Sequence, residues 1–357
     1  MDINGKGDSA LTGIHRIGMH RAKLMGLCIL FIMICHNTLQ LTGTAQKLND
    51  AVRLFCQGGG VDGFLILSGL GCYYSYHKTK NLKKYYIKRI KRILPTYISV
   101  TVCYAVFCVL IVKNCTLSQY LYTYSLVTFW TNGVLKEWYV AALIVLYIVS
   151  PLMFILVDKN KSLYLALTAA VMIVTVFLGV IKLPNTPAII NEVFGCRIPA
   201  FMFGIFIASV DTDTVRIRMK NLFTKRLLLL GVVSAVWVAV YNTRIPCKMI
   251  LLRLLCLPLW TELLSIVSIV ADHTHKKYRA LSSLGVITFE LYLLHDKMLG
   301  ITYYICHRLI QNPLISSIMD NLLAISFSII GASIIHKIMN YSINRIYKSG
   351  TEGKITL

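Results

Sequence analysis

The sequence predicts an all-α fold: a polytopic integral membrane helical bundle of about ten transmembrane helices, with both termini cytoplasmic. Three observations predict it. The 357-residue chain is 56% hydrophobic and 15% charged, with a mean hydropathy of +0.66, against about 45–50% apolar and about 25% charged in soluble domains. The excess is gathered into long apolar runs separated by short polar segments. The polar segments alternate between rich and poor in Lys and Arg, as loops on opposite membrane faces do.

The runs lie at roughly 24–39, 58–76, 97–112, 138–157, 163–181, 198–210, 227–241, 250–270, 284–305 and 317–338. A stretch from Tyr120 to Trp130 is too short to cross and reads as an interfacial or re-entrant helix, its tyrosines and Trp130 near headgroup level. With the N-terminus inside, cytoplasmic segments, counting Lys337 at the inner end of the last run, hold 26 of the 37 basic residues, the opposite loops nine, and Arg253 and Lys297 fall within spans. The segment 77–95 alone carries eight, and Arg216, Arg218, Lys220, Lys225 and Arg226 mark another inner loop, as do Lys276, Lys277 and Arg279. These boundaries divide the chain into a cytoplasmic segment 1–23, a membrane domain 24–340 and a cytoplasmic tail 341–357. The polar first 23 residues argue for a retained first span rather than a cleavable signal.

The net charge of +22 raises the question of nucleic acid. Its basic residues sit in short segments between apolar runs, where they face anionic lipid, so membrane lipid and not nucleic acid is the expected polyanionic surface. Most of the eleven cysteines lie inside apolar runs and read as small hydrophobes. No Cys-x2-Cys spacing marks a metal site. Cys56, Cys115, Cys196, Cys247 and Cys306 lie near segment ends on one side, where spacing leaves a disulfide open.

Ionisable residues within the apolar layer single themselves out, because each must face protein or water. His36 stands twelve residues beyond Leu24, about 18 Å at 1.5 Å per residue. Asp62 lies in the second run behind Gly58, Gly59 and Gly60, followed by Gly63, Ser68, Gly69 and Gly71; glycines at this density allow either close helix approach or a break. The antiparallel first and second spans put Asp62 near the level of His36. Ser68 is a nucleophile on paper, with packing the plainer reading. Arg89 and Arg92 share one helical face in the segment from Lys78 to Arg92; eight positive charges there suit a phosphate-bearing ligand from the cytoplasm as well as lipid. Pro95 ends or bends that helix. Lys136, Glu137, Trp138 and Tyr139 open the fourth span, where the aromatics suit an interface and Lys136 is placed to neutralise Glu137. Arg197, Arg253, Glu262, Glu290, His295, Asp296 and Lys297 complete the set.

In order and spacing, these residues resemble the acyltransferase-3 family of integral-membrane acyltransferases, which includes O-acetyltransferases of cell-surface polysaccharides. His36 matches the family's first-span histidine. Gly60-Val61-Asp62-Gly63-Phe64-Leu65-Ile66-Leu67-Ser68-Gly69 resembles its Gly-Val-Asp-x-Phe-Phe-x-x-Ser-Gly motif. Arg89, Arg92 and Pro95 fit an Arg-x-x-Arg pattern followed by Pro, Glu137-Trp138-Tyr139 a Trp-Tyr/Phe element, and Tyr292-Leu293-Leu294-His295 a Tyr-Leu-x-His segment. The chain departs at Met25, where many members carry Arg, with Arg21 one turn earlier as a possible substitute, and at Leu65 and Leu70, where aromatics are frequent.

The resemblance implies transfer of an acyl group, acetyl from acetyl-CoA being the common case, to a hydroxyl of a cell-surface or lipid-linked glycan at the inner (plasma) membrane. His36 is then the general base, oriented by Asp62 or by Glu137. Arg89, Arg92, Lys88 and Tyr85 would meet the phosphates of an acyl-CoA donor that is a co-substrate and not a tightly bound cofactor. Trp138, Tyr139, His295 and Ser68 would line the substrate. No metal is called for. A transporter or flippase of a polar or lipid-linked solute would share buried charges and glycines but would not depend on coenzyme A. A scaffold would tolerate loss of His36.

Overall fold

The structure is a computed structural model and describes residues 17–181, 188–211, 222–273 and 279–352. The inner-loop assignments resting on Arg216, Arg218, Lys220, Lys276 and Lys277 lie outside these residues, as do most of the N-terminal segment and the last five residues. The described chain is all-α and polytopic. Seven helical stretches are long and apolar enough to cross a membrane: Gly43–His77, Leu82–Val112, Trp138–Lys159, Lys161–Ile181, Ala188–Val210, Lys248–Ala271 and Pro313–Ser342. The first, seventh and ninth expected spans are helical but fall short of that standard. One helix stops at Cys35, another contributes the shorter apolar helix Arg226–Tyr241 among the described residues, and the third carries several charges in its first three turns.

The chain divides into two compact units, the first built from Met1–Leu24, Val61–Lys78 and Val149–Ser282, the second from Met25–Gly60, Thr79–Ile148 and Ser283–Leu357. Helices α1 (Arg21–Cys35) and α2 (Gly43–His77) each run from one unit into the other.

In the first unit the C-terminal half of α2 lies with α6 (Trp138–Lys159, from Val149 onward), α7 (Lys161–Ile181), the one-turn α8 (Ala188–Val193), α9 (Ile198–Asp211), α10 (Leu222–Tyr241) and α11 (Lys248–His273). The glycine-rich motif does not break its helix. It lets backbones touch: a Cβ at Gly69 would strike the carbonyl oxygen of Phe201 on α9, and one at Gly204 the carbonyl of Ile66. This is small-residue packing of the kind that drives helix association in lipid. Gly69→Ala should therefore lower stability by about 1–3 kcal/mol through overpacking. Gly231→Ala, with nothing within 4 Å of its added Cβ, should be neutral or stabilising by up to about 1 kcal/mol. Thermal unfolding of both variants in detergent micelles reads the difference.

The second unit holds most of α1, the N-terminal half of α2, α3 (Leu82–Val106) with its π-helical continuation Phe107–Val112, and two short helices, α4 (Leu117–Thr123) and α5 (Leu126–Asn132). It is completed by the start of α6, α12 (Arg279–Val286, from Ser283 onward), α13 (Thr288–Leu309) and α14 (Pro313–Glu352), of which α13 packs along α14 and against α3. Pro95 lies inside α3, so of the two expectations for it, an end or a bend, the end is not made. The Tyr120–Trp130 stretch is two helices, because Ser125 accepts from the amide of Val127 and caps a new start. All eleven cysteines are free thiols, so the disulfide left open by spacing does not form in this structure.

Candidate active site

The first helix ends one residue before His36, short of the Leu39 expected from the apolar run. The side-chain amide of Asn37 donates to the carbonyl of Ile34 at 2.7 Å, and Arg53 Nε donates to that of Cys35 at 2.9 Å. Those bonds satisfy carbonyls that a continuing helix would have used. His36 therefore stands at a helix end with an exposed surface, not in the middle of a closed cylinder.

Its ring meets His295 of α13, with His36 Nδ1 2.6 Å from His295 Nε2. The ring planes differ by 12° and the centroids are 4.8 Å apart. Face-to-face rings cannot bring two nitrogens this close, so the rings meet edge to edge and share a hydrogen bond. The other nitrogen of His295, Nδ1, lies 2.6 Å from the carbonyl oxygen of Tyr292. A carbonyl only accepts, so His295 Nδ1 carries a proton, and in the neutral ring Nε2 is then a bare acceptor. His36 Nδ1–H must donate to it. The unshared electron pair of His36 is thereby fixed on Nε2. His295 is buried at 3% exposure.

Around the pair stand two ion pairs that adjacent sequence positions do not suggest. Glu137 is buried and bonded to the ammonium of Lys297, which also donates to the carbonyl of Leu293 at 3.1 Å and lies over the rings of Tyr104 and Tyr124. Lys136 pairs with Asp296 at 2.9 Å, both side chains about half exposed. The expected neutralisation of Glu137 by Lys136 is thus corrected. Glu137 has φ of +56°, in the left-handed region disfavoured for side-chain-bearing residues, and its carbonyl accepts from the amides of Val140 and Ala141 at the start of α6. The two neighbours serve different partners. Asp296, Arg53 and Lys136 all act electrostatically on His36. Tyr139, buried, packs against Tyr292 with centroids 4.9 Å apart, and Trp138 sits 6.2 Å from Phe129.

On the basic segment, Arg92 is held by Glu290 at 3.6 Å and donates to the carbonyl of Val286 at 3.1 Å. Glu290 also accepts from His336 at 2.9 Å. Arg89 lies over the rings of Tyr85 and Tyr147 at 5.2 and 5.3 Å, a cation–π sandwich in which Tyr85, 1% exposed, is backing rather than surface. Lys88 is exposed. Glu290 and His295 are five residues apart on α13, about 7.5 Å of helix rise. The anchor of Arg92 and the partner of His36 are therefore close along one element.

In the first unit, Asp62 is 1% exposed and faces Arg197 at 3.4 Å, while Arg197 donates to the carbonyl of Val193 at 2.7 Å. Arg253 pairs with Glu192 at 3.2 Å, and Glu262 receives both its bonds from Arg226 at 2.7 Å. Ser68 is buried beside the Gly69 contact. Arg21 donates to the carbonyl of Leu67 at 2.8 Å and packs on Gly71, so it does reach the glycine-rich motif from a turn before Met25. Among the described residues, no three His, Cys, Asp or Glu side chains gather as metal ligands.

A family model for an acyltransferase domain matches residues 24–337. No curated protein and no solved structure matches the chain.

Proposed function

Because the chain belongs to the acyltransferase-3 family, we propose that it is a membrane-bound O-acyltransferase that moves an acetyl group from acetyl-CoA to a hydroxyl of a cell-surface or lipid-linked glycan. The observation that carries this reading is the Tyr292–His295–His36 hydrogen-bond chain, which calls for the proton of His36 on Nδ1 and so leaves Nε2 free of one. A general base needs that state before the reaction begins. His36 takes the proton of the acceptor hydroxyl, the oxygen attacks the thioester carbonyl, and the proton passes from His36 to the departing thiolate to give free coenzyme A. His295 accepts from His36 Nδ1 throughout, holding the ring while it is charged. The orienting role expected of Asp62 or Glu137 is placed on His295, since those carboxylates are engaged by Arg197 and Lys297. They act as structural anchors of their surroundings.

The donor's phosphates are assigned to Lys88, Arg89 and Arg92, with Tyr85 supporting Arg89 from behind. The short separation of Glu290 and His295 supports this assignment, because one donor molecule then serves both ends of the site. Trp138 and Tyr139 are assigned to the acceptor side, and the protein to the inner (plasma) membrane.

Envelope-glycan mass spectrometry of an intact strain, a deletion strain and a deletion strain complemented with His36→Ala tests the reading. The expected result is one acetyl mass per modified sugar, lost on deletion and not restored by His36→Ala. Full restoration by His36→Ala would remove His36 from the chemistry. An unchanged glycan profile with altered solute movement would favour a transporter.

A further inference from the structure

The six residues after His36 leave the helix although their sequence, Asn37-Thr38-Leu39-Gln40-Leu41-Thr42, is partly apolar. They are held instead by one face of α14. The amide of Thr38 donates to Asn321 Oδ1 at 3.2 Å, the hydroxyl of Thr38 donates to Asp320 Oδ2 at 2.6 Å, Asn321 Nδ2 donates to the same hydroxyl at 2.9 Å, and the amide of Gln40 donates to Ser317 Oγ at 3.1 Å. Residues 317, 320 and 321 share a helical face by their spacing. Asp320 has no exposed surface, and its second oxygen accepts from the hydroxyl of Thr302 at 2.5 Å.

That last contact gives the carboxylate its significance. Thr38 is two residues beyond His36, and Thr302 is seven beyond His295, on the same face of α13 two turns away. One buried carboxylate thus ties together the two segments whose histidines must meet edge to edge. A buried carboxylate is costly to keep unless hydrogen-bonded, and here each oxygen is satisfied by one of those two segments. Both of these partners are hydroxyls, so the contact fixes geometry rather than neutralising charge.

We propose that Asp320 is a positioning residue that holds His36 against His295 by bridging Thr38 and Thr302. This rests on the acyl-transfer reading above for its kinetic consequence but not for its geometry. Displacing a base by about 1 Å costs on the order of 100-fold in rate. In the purified full-length protein, Asp320→Ala should lower kcat for acetyl transfer about that much, with the KM for acetyl-CoA changed less than about threefold. Asp320→Asn, which keeps hydrogen-bonding capacity on both sides, should recover most of the loss. If Asp320→Ala fails to fold, Thr38→Val, which removes a single hydroxyl, should show the same split between kcat and KM.

A second arm needs no activity. His36→Cys/His295→Cys, treated with a short bis-methanethiosulfonate, which joins two thiols as mixed disulfides and releases methanesulfinate at each end, and read by mass spectrometry of the linked peptides, should cross-link efficiently, and adding Asp320→Ala should lower the yield severalfold. An unchanged kcat in Asp320→Ala, or an unchanged cross-link yield, would overturn the proposal. Absence of acetyl transfer by the intact protein would instead sink the acyl-transfer reading, leaving the cross-link arm to decide the bridge.

Discussion

Replacing His295 with Ala should cut the rate of acyl transfer by about 10²- to 10⁴-fold, the range that a correctly held general base contributes, although His36, the proposed base, is intact. The loss follows from proton placement. Without His295 Nε2, the Nδ1–H of His36 has no acceptor in the chain that ends on Tyr292, and the ring is free to turn and to carry its proton on Nε2. The wrong tautomer has no electron pair where the acceptor hydroxyl arrives. His295→Gln puts an amide oxygen near the lost nitrogen and should recover part of the rate, whereas His295→Leu, of similar bulk without an acceptor, should not. Steady-state kinetics on the three variants in membranes make the comparison. Equal rates for the Gln and Leu variants would show that His295 only fills space.

The largest effect on stability is expected at Glu137. Its removal strands the ammonium of Lys297, 3% exposed, inside the second unit. Breaking a buried pair by deleting one partner costs about 3–5 kcal/mol. The carbonyl of Leu293 and the rings of Tyr104 and Tyr124 soften the loss without supplying a counter-charge. Glu137→Ala should therefore unfold at markedly lower temperature in detergent micelles than the intact protein. Glu137→Gln/Lys297→Met removes both charges and should recover most of the difference, because a well-packed neutral pair is often no less stable than a buried ion pair. If the single and double variants lose equally, the stabilisation comes from packing at Glu137 and not from its charge.

Much of the architecture was legible because lipid imposes a length and a polarity on each crossing segment, so the apolar runs mark helices even where their ends shift. Ends were less legible. The Leu24–Leu39 run continues past Cys35 in hydropathy, but side chains of Asn37 and Arg53 take the carbonyls there, and neither bond is visible in a one-dimensional pattern. His36 and His295 were both identifiable as polar groups in apolar surroundings, and the family resemblance marked the same two. Their mutual contact was not, since 259 positions separate them and a depth argument pointed to Asp62 instead. Partner choice likewise escaped the reading of Lys136 and Glu137, because neighbours in sequence leave a helix start in different directions. Asp320 was overlooked although a signal was present: an acid near the head of an apolar run, next to Asn321 and just after Ser316 and Ser317, is an expensive residue to place in a membrane.

The most direct test of the account is transfer of labelled acetyl from acetyl-CoA to a glycan acceptor by the full-length protein in proteoliposomes, intact and as His36→Ala. The account predicts label in the acceptor with the intact protein and a loss of at least about 100-fold in rate with His36→Ala. Equal transfer by both proteins would contradict it, and so would the absence of labelled acceptor from the intact protein.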